Sequence, residues 1–402
     1  MGSYSDLLRT SGVARIIAAQ LTARFPSGML SLAFLLHVER QTGSYGAAGL
    51  VLAATSIGQA VAGPMTSRLM GRLGMRPVLI TTLVICASAV VAIGVLPLTV
   101  PAYMAIGLVA GLATPPVQSA VRTIYPKMVN SRQLTPLFSL DASAQEIIWV
   151  VGPVVTTFVS TQIGTVWGIL LAAVMMVVGG IWFITSPELG RVRIPRSKRR
   201  FGAVLARPPV MLATVVGFLL IGAAAAVEAG VVATFGHDGA EAGIVLAIFS
   251  VGSLAGGLFL GHVPIGPWST ARRMFIVFAG TALAAFAMDF WWLAATLFIA
   301  GIGIAPVLAV LFAIVSASVK FSDTAEAYGW VGTGQLIGAA LGSALAGFLI
   351  DASGPQGAFW AATALALLGF LVSAIGRRWH PDLRGRDPSP IPDTEPVPAQ
   401  PS

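Results

Sequence analysis

The sequence predicts an all-α membrane protein with twelve transmembrane helices in two six-helix halves. The first observation is the composition, since 56% of the 402 residues are hydrophobic and only 10% are charged, with a mean hydropathy of +0.85. Soluble proteins have about 25% charged residues because their surface faces water. The second observation is a series of long apolar stretches, and the third is an internal repeat that relates the two halves.

Twelve apolar stretches are long enough to cross a bilayer, which takes about 20 helical residues. Six lie in the first half of the chain, at 12–37, 47–67, 77–97, 101–122, 138–160 and 165–185. Six follow, at 209–232, 242–262, 273–289, 291–318, 327–350 and 357–376. These stretches do not alternate apolar and polar residues, as the strands of a membrane barrel do, so helices are predicted.

The distribution of Lys and Arg predicts the orientation, because basic residues concentrate at the cytoplasmic ends of membrane helices. With both termini in the cytoplasm, 22 of the 24 basic residues fall on that side, and the exceptions are Arg24 and Arg40. An odd number of spans would destroy this bias. We therefore expect a multi-pass protein of the plasma (inner) membrane. Its net charge of +8 is explained by topology and anionic lipid, so no nucleic-acid partner is predicted.

An internal repeat supports the division into two halves. The segment 48–63, AGLVLAATSIGQAVAG, matches 242–257, AGIVLAIFSVGSLAGG, at eight of sixteen positions, and AGLATPPV at 110–117 resembles AGIGIAPV at 300–307. The predicted parts are a cytoplasmic N-terminus at 1–11, bundles at 12–185 and 209–377, a basic cytoplasmic linker at 186–208, and a disordered Pro-rich tail at 378–402.

The loop between the second and third spans contains a pattern of glycine and arginine. It reads GPMTSRLMGRLGMRPVL from Gly63 to Leu79. The pattern resembles the loop signature of the major facilitator superfamily, in which a glycine leads into Asp-Arg-x-Gly-Arg-Arg. The residues that fit are Gly63, Arg68, Arg72, Gly74, Arg76 and Pro77, whereas Gly71 stands where the acidic residue is expected. Such arginines pair with carboxylates or helix C-termini at a cytoplasmic gate, or they only follow the positive-inside rule.

The resemblance covers residues 10–377 and implies the major facilitator fold, with secondary active transport of small molecules by alternating access. Gly152-Pro153 in the fifth span is similar to an element of exporters in this superfamily, so a bacterial, exporter-like member is expected. The alternative for these two residues is a kink that serves packing alone. The arginine that many proton-coupled members have in the fourth span would fall near Gly107 and is absent.

Charged residues inside the spans are candidates for the pathway, because a charge at the membrane centre costs about 3 kcal/mol. Arg24 lies in the first span with Gln20 one turn away on the same face. Glu146 lies in the fifth span and Glu228 in the seventh. The resemblance implies that the first and seventh spans line the central cavity. We expect Arg24, Gln20, Glu146 and Glu228 along the substrate or ion pathway.

Arg24 and Glu146 have comparable depths, and the resemblance places their spans side by side. We therefore predict that they form a buried pair or share a hydrated network. The carboxylate would carry a coupling proton, or the pair would be a structural ion pair that fixes helix packing. Asp141 and Arg122, nearer the cytoplasmic ends of their spans, are assigned to the gate with Gly152, Pro153 and the loop residues named above.

Small residues in the eleventh span predict a close helix contact. Gly334, Gly338, Gly342 and Ala346 recur every four residues and therefore lie on one face of the helix. Such a stripe lets a neighbouring helix approach to backbone contact. We interpret it as a packing surface.

Three functions fit these observations. The first is proton-coupled efflux of amphipathic, drug-like compounds, and the second is uptake or export of a sugar or another polar solute. The third is a membrane receptor without transport activity. No enzyme, cofactor or metal site is predicted, because no catalytic or phosphate-binding motif appears. The expected partners are a small-molecule substrate, the proton as coupling ion and the lipid bilayer, and the resemblance implies a monomer.

Overall fold

The computed structural model describes residues 4–236, 241–261 and 263–393, and its regular elements are helices. The first half contains α1 (Tyr4–Arg9), α2 (Val13–Arg24), α3 (Leu30–Thr42), α4 (Tyr45–Leu73), α5 (Met75–Val95), α6 (Val100–Leu112), α7 (Val117–Ile124), α8 (Ser131–Gln162) and α9 (Thr165–Thr185). The linker contains α10 (Pro187–Arg191). The second half contains α11 (Pro208–Phe235), α12 (Glu241–Leu260), α13 (Ser269–Ala284), α14 (Phe290–Ser318), α15 (Phe321–Ser353) and α16 (Pro355–Ile375). The predicted all-α membrane fold is confirmed.

Two of the predicted spans are interrupted by proline. The first span consists of α2 and α3, joined by a 3-10 turn over Phe25–Gly28 that contains Pro26. The fourth consists of α6 and α7, separated by residues that include Pro115 and Pro116. Proline lacks the backbone N–H of a continuous helix, so the chain bends at these points. Both interruptions lie beside the polar cluster described below.

Eleven helical segments within the described part of the chain are long and apolar enough to cross a membrane. The remaining predicted span corresponds to α13, which has 16 residues and is shorter than a usual span. It nevertheless joins the two faces of the bundle. Its first turn meets the C-terminal tail through a hydrogen bond between Thr270 and His380. Beyond its last turn, the carbonyl of Ala285 accepts a hydrogen bond from Gln356 at the start of α16.

The two halves meet through two interfaces that the internal repeat makes equivalent. In the first, Thr333 of α15 donates a hydrogen bond to the carbonyl of Ala60 in α4 at 2.8 Å. In the second, Ser139 of α8 donates to the carbonyl of Gly257 in α12 at 2.5 Å. Gly63 and Gly257 are the last residues of the two matching segments. Each lies against the opposite half, and a side chain at either position would meet Thr333 or Ser143.

These interfaces lie toward the face where α4 and α12 end and α8 and α15 begin, which we call the terminal face. Tyr4, near the start of the described chain, donates a hydrogen bond to the carbonyl of Gly257 at this face. Among the described residues, the hydrogen bonds and ion pairs that join the halves lie at or toward this face, and the deepest of them joins Ser253 to Glu146 near the middle of α8. The bundle is therefore closed at the terminal face.

The C-terminal tail packs on the terminal face as far as Asp393. Leu383 donates a backbone hydrogen bond to Ile265 at 2.9 Å, and Ile391 pairs with Val319 and Phe321 on either side of Lys320. Residues 378–393, predicted as part of a disordered tail, thus include residues that make defined contacts with the bundle. Its prolines lack the N–H that a helix needs. The N–H of Ile391 bonds instead to the carbonyl of Val319 at the end of α14, and that of Leu383 to the carbonyl of Ile265 in the segment between α12 and α13. Residues 394–402 lie outside the described part of the chain.

Candidate functional site

A buried polar cluster lies where α2, α7 and α8 meet. Asp141 is its centre and is fully buried. One carboxylate oxygen accepts hydrogen bonds from Gln20 at 3.1 Å and Tyr125 at 3.2 Å, and Arg24 lies 3.5 Å away. The other accepts from Nε of Arg122 at 2.9 Å. Arg24 also donates to Gln20 at 2.8 Å. Four donor side chains therefore converge on this one buried carboxylate and compensate for its removal from water.

The predicted pairing of Arg24 with Glu146 is wrong in its partner. Arg24 contacts Asp141 and donates to Gln145, which lies one helical turn further along α8. Successive residues of a helix point about 100° apart, so Glu146 cannot share the face of Asp141 and Gln145. Its carboxylate instead accepts a hydrogen bond from Ser253 of α12 at 2.9 Å. The sequence indicated the right depth but not the direction of the side chain.

The cluster holds two guanidinium groups for one carboxylate. Arg122, assigned to the gate, has a fully buried side chain at the end of α7. Its guanidinium carbon lies 3.4 Å from the ring centre of Phe312 in the second half, a cation–π contact. Arg24 retains 10% side-chain exposure. The cluster therefore has one positive charge more than its carboxylate can balance. Arg122 is stabilised in addition by the Phe312 ring, whereas Arg24 is the more accessible of the two guanidinium groups.

An aromatic plug closes the centre of the terminal face beside Arg122. Phe138 of α8 packs against Phe312 of α14 and Tyr328 of α15, with ring centres 6.3 and 6.4 Å apart. Tyr328 donates a hydrogen bond to the carbonyl of Phe312 at 3.0 Å. Sequence reasoning missed these three residues. The signal was present, because the spacing of 190 residues that relates Val117 to Val307 also relates Phe138 to Tyr328.

The Gly152-Pro153 element packs against the bend in the first span. A Cβ atom at Gly152 would lie 2.8 Å from the carbonyl oxygen of Gly28, and one at Gly28 would meet the carbonyl of Ile148. Pro153 lies inside the continuous helix α8. The two glycines thus let α8 touch the 3-10 turn that follows Arg24. This contact brings α8 and the first span close together beside the polar cluster.

The arginine loop makes a further contact between the halves at the outer edge of the terminal face. Nη1 of Arg68 lies 2.5 Å from the Glu326 carboxylate in α15, and Arg68 also donates to the carbonyl of Arg199 in the linker. Asp323, one turn earlier than Glu326, accepts a hydrogen bond from Ser197 at 2.6 Å. Sequence reasoning missed Asp323 and Glu326, whose partners come from a different half and from the linker.

The remaining residues of the arginine loop differ in the contacts that they make. Gly74 has φ of +92° and ends α4, a conformation that favours glycine. Arg76 donates to the carbonyls of Ile184 and Ser186, at the C-terminal end of α9, at 3.2 and 3.5 Å. Arg72 is exposed, and it forms no ion pair with another described residue. Arg68 and Arg76 therefore make the specific contacts of this loop.

The absent acidic residue of the loop signature has a structural explanation. Gly71 stands at that position, and its Cα faces the linker so closely that a Cβ atom would lie 3.1 Å from the carbonyl oxygen of Pro195. A side chain there would require the linker backbone to shift by a few tenths of an ångström. The carboxylates that pair with arginines of the loop and the linker come instead from Asp323 and Glu326 of α15.

An open cavity of about 650 Å³ lies between α11 and α15, toward the face opposite the termini. Glu228 and Ser343 supply its polar groups, and the Glu228 side chain is exposed there. The remaining lining is small and apolar, namely Ala225, Ala229, Val232, Ala233 and Gly236. Within the described part of the chain, no cation forms an ion pair with Glu228 or Glu146.

A bundle of two related six-helix halves, closed at one face and holding a cavity toward the other, defines a membrane transporter of the alternating-access class. The sequence profile of the Major Facilitator Superfamily matches residues 16–262 and again 222–401. The chain therefore belongs to the major facilitator superfamily, and it is a transporter of solutes rather than an enzyme.

Solved structures of low sequence identity share this fold. The human organic anion transporter MFSD10 (TETRAN) has 15% identity and a TM-score of 0.70, with 90% of this chain and 98% of that chain covered. A bacterial homologue of the iron transporter ferroportin, in an outward-facing state, has 12% identity and a TM-score of 0.73, with 91% and 98% covered. The same homologue with soaked iron has 13% identity, a TM-score of 0.70 and the same coverage. No curated protein matches the sequence.

Proposed function

We propose that this protein is a monomeric, proton-coupled exporter of small amphipathic compounds in the plasma (inner) membrane. The observation that carries the proposal is the asymmetry of the bundle. The terminal face is sealed by contacts between the halves, whereas the opposite face holds an apolar cavity with one unpaired carboxylate, Glu228. This is one of the two conformations that alternating access requires.

The orientation follows from the basic residues. The terminal face carries the basic linker and the arginine loop, and such residues concentrate on the cytoplasmic side. The conformation is then outward-facing, with the cavity open to the outside. Release of an exported compound would occur from this state, and loading would require separation of the two terminal-face interfaces.

The cavity lining supports an amphipathic substrate. Five of its seven residues are alanine, valine or glycine, which offer apolar contact without hydrogen bonds. Glu228 and Ser343 add one acidic and one hydroxyl group at the rim of this surface. A pocket of this kind favours an apolar body with a positively charged or hydrogen-bonding group. Sugars, which need many hydrogen-bond partners, fit it less well.

Glu146 is the proposed proton carrier. It lies at the interface between α8 and α12, where Ser253 donates its hydrogen bond. A carboxylate in this position without a cation is more stable when it is neutral. Separation of the interface would bring water to Glu146 and allow the proton to leave toward the cytoplasm. Asp141 does not fit this role, because both of its carboxylate oxygens are already engaged by arginines, Arg24 and Arg122.

Organic anions are a second candidate class of substrate. The polar cluster has two arginines for one carboxylate, and Arg24 remains partly exposed. If the terminal face opens, this surplus positive charge would face the cytoplasmic opening and attract an anion. MFSD10, which shares the fold, is an organic anion transporter. Its sequence identity is too low for its substrate to be transferred.

The experiment is transport into inverted membrane vesicles with an imposed pH gradient, screened over lipophilic cations, neutral amphiphiles, organic anions and sugars. We expect lipophilic cations or neutral amphiphiles to accumulate while the lumen is acidic, and a protonophore to abolish the accumulation. Glu146→Gln should abolish gradient-driven accumulation and keep downhill exchange. Glu241→Gln, an exposed residue at the start of α12, is the matched control.

Four outcomes contradict the proposal. Accumulation that needs ATP excludes secondary transport, and accumulation of only anions or sugars excludes the amphipathic class. Unchanged proton dependence in Glu146→Gln excludes this residue as the carrier. Absence of movement for every compound, in protein that is folded and correctly inserted, favours a receptor without transport activity.

A further inference from the structure

The basic linker between the halves contains more positive charge than its surroundings neutralise. Six of the ten residues from 191 to 200 are Arg or Lys. Only Arg199 forms an ion pair with a described residue, through Nε to Asp323 at 3.4 Å. The side chains of Arg193, Arg196, Lys198 and Arg200 are exposed and form no ion pair within the described chain. We call these four residues the linker cations.

The linker backbone is held in place at several points, although its side chains are exposed. Ile194 is buried, with 4% exposure, and the Pro195 carbonyl faces Gly71 of α4. Further along, Ser197 donates to Asp323 at 2.6 Å, and the backbone N–H of Gly202 donates to Glu326 at 2.7 Å. A charged loop that is only solvated needs none of these contacts. The linker cations therefore form a surface of defined shape.

This surface lies next to the membrane boundary. The linker begins where α9 ends, at Thr185, and returns to the bundle at Pro208. Phe201 follows the linker cations directly; it is 49% exposed and packs against Trp330 with ring centres 5.6 Å apart. Aromatic rings beside basic residues are typical of the interface between headgroups and hydrocarbon.

The linker is also part of the gate. Arg68 of the first half donates to the carbonyl of Arg199, and the same arginine pairs with Glu326 of the second half. The linker backbone thus lies between α4 and the first turn of α15. Opening of the terminal face must break or move these contacts. Any ligand that fixes the linker in this position would favour the closed gate.

We propose that the linker cations bind the headgroups of anionic phospholipids, and that this binding stabilises the conformation with the terminal face closed. Four unpaired cations beside an exposed aromatic ring match a negatively charged leaflet, where each basic residue is attracted to the surface. The lipid would act on the gate through the contacts of the linker with Asp323 and Glu326. The proposed effect on the gate depends on the alternating-access function proposed above, whereas the proposed lipid binding does not depend on that function.

The first experiment measures lipid binding on the full chain in nanodiscs, without a transport substrate. Nanodiscs of phosphatidylcholine are compared with nanodiscs in which one lipid in three is phosphatidylglycerol, and the unfolding temperature is recorded in each. We expect phosphatidylglycerol to raise the unfolding temperature. The variant with Arg193, Arg196, Lys198 and Arg200 each replaced by Gln should lose most of this rise, and its apparent affinity for phosphatidylglycerol should fall by about tenfold or more.

The control variant loses the same charge elsewhere on the terminal face. It carries Gln in place of Arg9, Arg132, Arg272 and Arg386, which are exposed and form no ion pair among the described residues. The proposal is overturned if this variant loses as much of the lipid effect as the linker variant. It is also overturned if a short oligonucleotide added to phosphatidylcholine nanodiscs gives the same stabilisation, because the surface would then bind polyanions in general.

The second experiment measures the gate. Spin labels at Tyr45→Cys and Ser353→Cys, in a Cys86→Ser background, report the separation of α4 and α15 at the face opposite the termini. Phosphatidylglycerol should increase the population with the longer distance in the parent chain but not in the linker variant. If lipid binding is lost in that variant while the distances do not depend on lipid in either protein, the effect on the gate is excluded. Failure of transport in the vesicle experiment would leave both measurements interpretable.

Discussion

The guanidinium carbon of Arg122 lies 3.4 Å from the ring centre of Phe312, and the two residues occupy equivalent positions in the two halves. They are separated by 190 residues, the spacing that also relates Val117 to Val307 and Phe138 to Tyr328. Residues close to the pseudo-two-fold axis that relates the two halves contact the equivalent residues of the other half. The axis at the terminal face is therefore filled by equivalent positions that carry different residues, a cation in the first half and an aromatic ring in the second.

Loss of Arg122 should destabilise the protein strongly. Arg122→Ala removes the shortest ion-pair contact of Asp141 and leaves that carboxylate buried with less compensation, at a cost of about 3 kcal/mol. Arg122→Lys should have an intermediate effect, because lysine keeps the charge but lacks the planar group that stacks on Phe312. Thermal unfolding in detergent measures both. The exposed control Arg132→Ala should change stability by less than about 0.5 kcal/mol, and equal losses in all three variants contradict this assignment.

The Arg68–Glu326 pair should control the closed gate. Arg68 has 11% side-chain exposure and Glu326 has 2%, so the pair is well shielded from water. Arg68→Gln and Glu326→Gln should each increase the population with an open terminal face, and the double variant should add little to either. The expected coupling is about 1–3 kcal/mol. Label distances between α4 and α15 report the populations, with Arg72→Gln as the control. If the free-energy effects of Arg68→Gln and Glu326→Gln simply add in the double variant, the two residues do not act as a direct pair.

Two glycines of α15 should respond differently to the same substitution. A Cβ atom at Gly342 would lie 2.1 Å from the carbonyl oxygen of Gly222 in α11, whereas a Cβ atom at Gly347 would enter open space, with no atom of a neighbouring helix within 4 Å among the described residues. Gly342→Ala should therefore destabilise the second half by about 1–3 kcal/mol through overpacking. Gly347→Ala should be neutral or stabilising by up to about 1 kcal/mol, since alanine favours helix. Thermal unfolding of the two variants decides, and similar losses would refute the packing argument.

The stability of the protein should fall in acid through Glu188. Burial alone would raise the pKa of Glu188, but the hydrogen bond and charge of Arg15 outweigh burial and hold the pKa below its ordinary value of 4.5. The folded state therefore binds this proton more weakly than the unfolded state. The stabilisation is present above pH 4.5 and is lost as the pH falls through the folded-state value.

The measurement is the unfolding temperature as a function of pH. Glu188→Gln should be less stable than the parent chain near neutral pH, and the difference should shrink below pH 4.5. Glu241→Gln serves as the control, because Glu241 is exposed and forms no ion pair with a described residue. A constant difference between Glu188→Gln and the parent chain at every pH argues against this linkage.

The cavity and the polar cluster show how far sequence reasoning reached. The depth of a charged residue along a span follows from counting, so Arg24, Asp141, Glu146 and Glu228 were recognised as unusual. Their partners depend on rotation about each helix axis and on which helices are neighbours. Apolar helices have almost no amphipathic pattern to fix that rotation, since lipid and protein interior are equally apolar. The partner of Glu146 was therefore predicted wrongly.

The gate shows a second limit. Its carboxylates, Asp323 and Glu326, lie more than 250 residues after Arg68, and they looked like ordinary charges at a helix end. The tail to Asp393 likewise lacks a hydrophobic pattern, because it is held by hydrogen bonds, those of the Leu383 and Ile391 backbones and that of the Asp393 carboxylate with Ser322. Such contacts leave no periodic signal in the sequence.

The sequence by itself determined that this protein is an all-helical, multi-pass membrane protein and that its two halves are related. Those properties depend on the length of the apolar segments, on their composition and on the internal repeat, all of which are visible in the linear sequence. Only the tertiary structure decided which face is closed, which charges are paired and where the linker lies. These depend on the short-range contacts of side chains from distant segments, and their energies exist only once the helices are placed side by side.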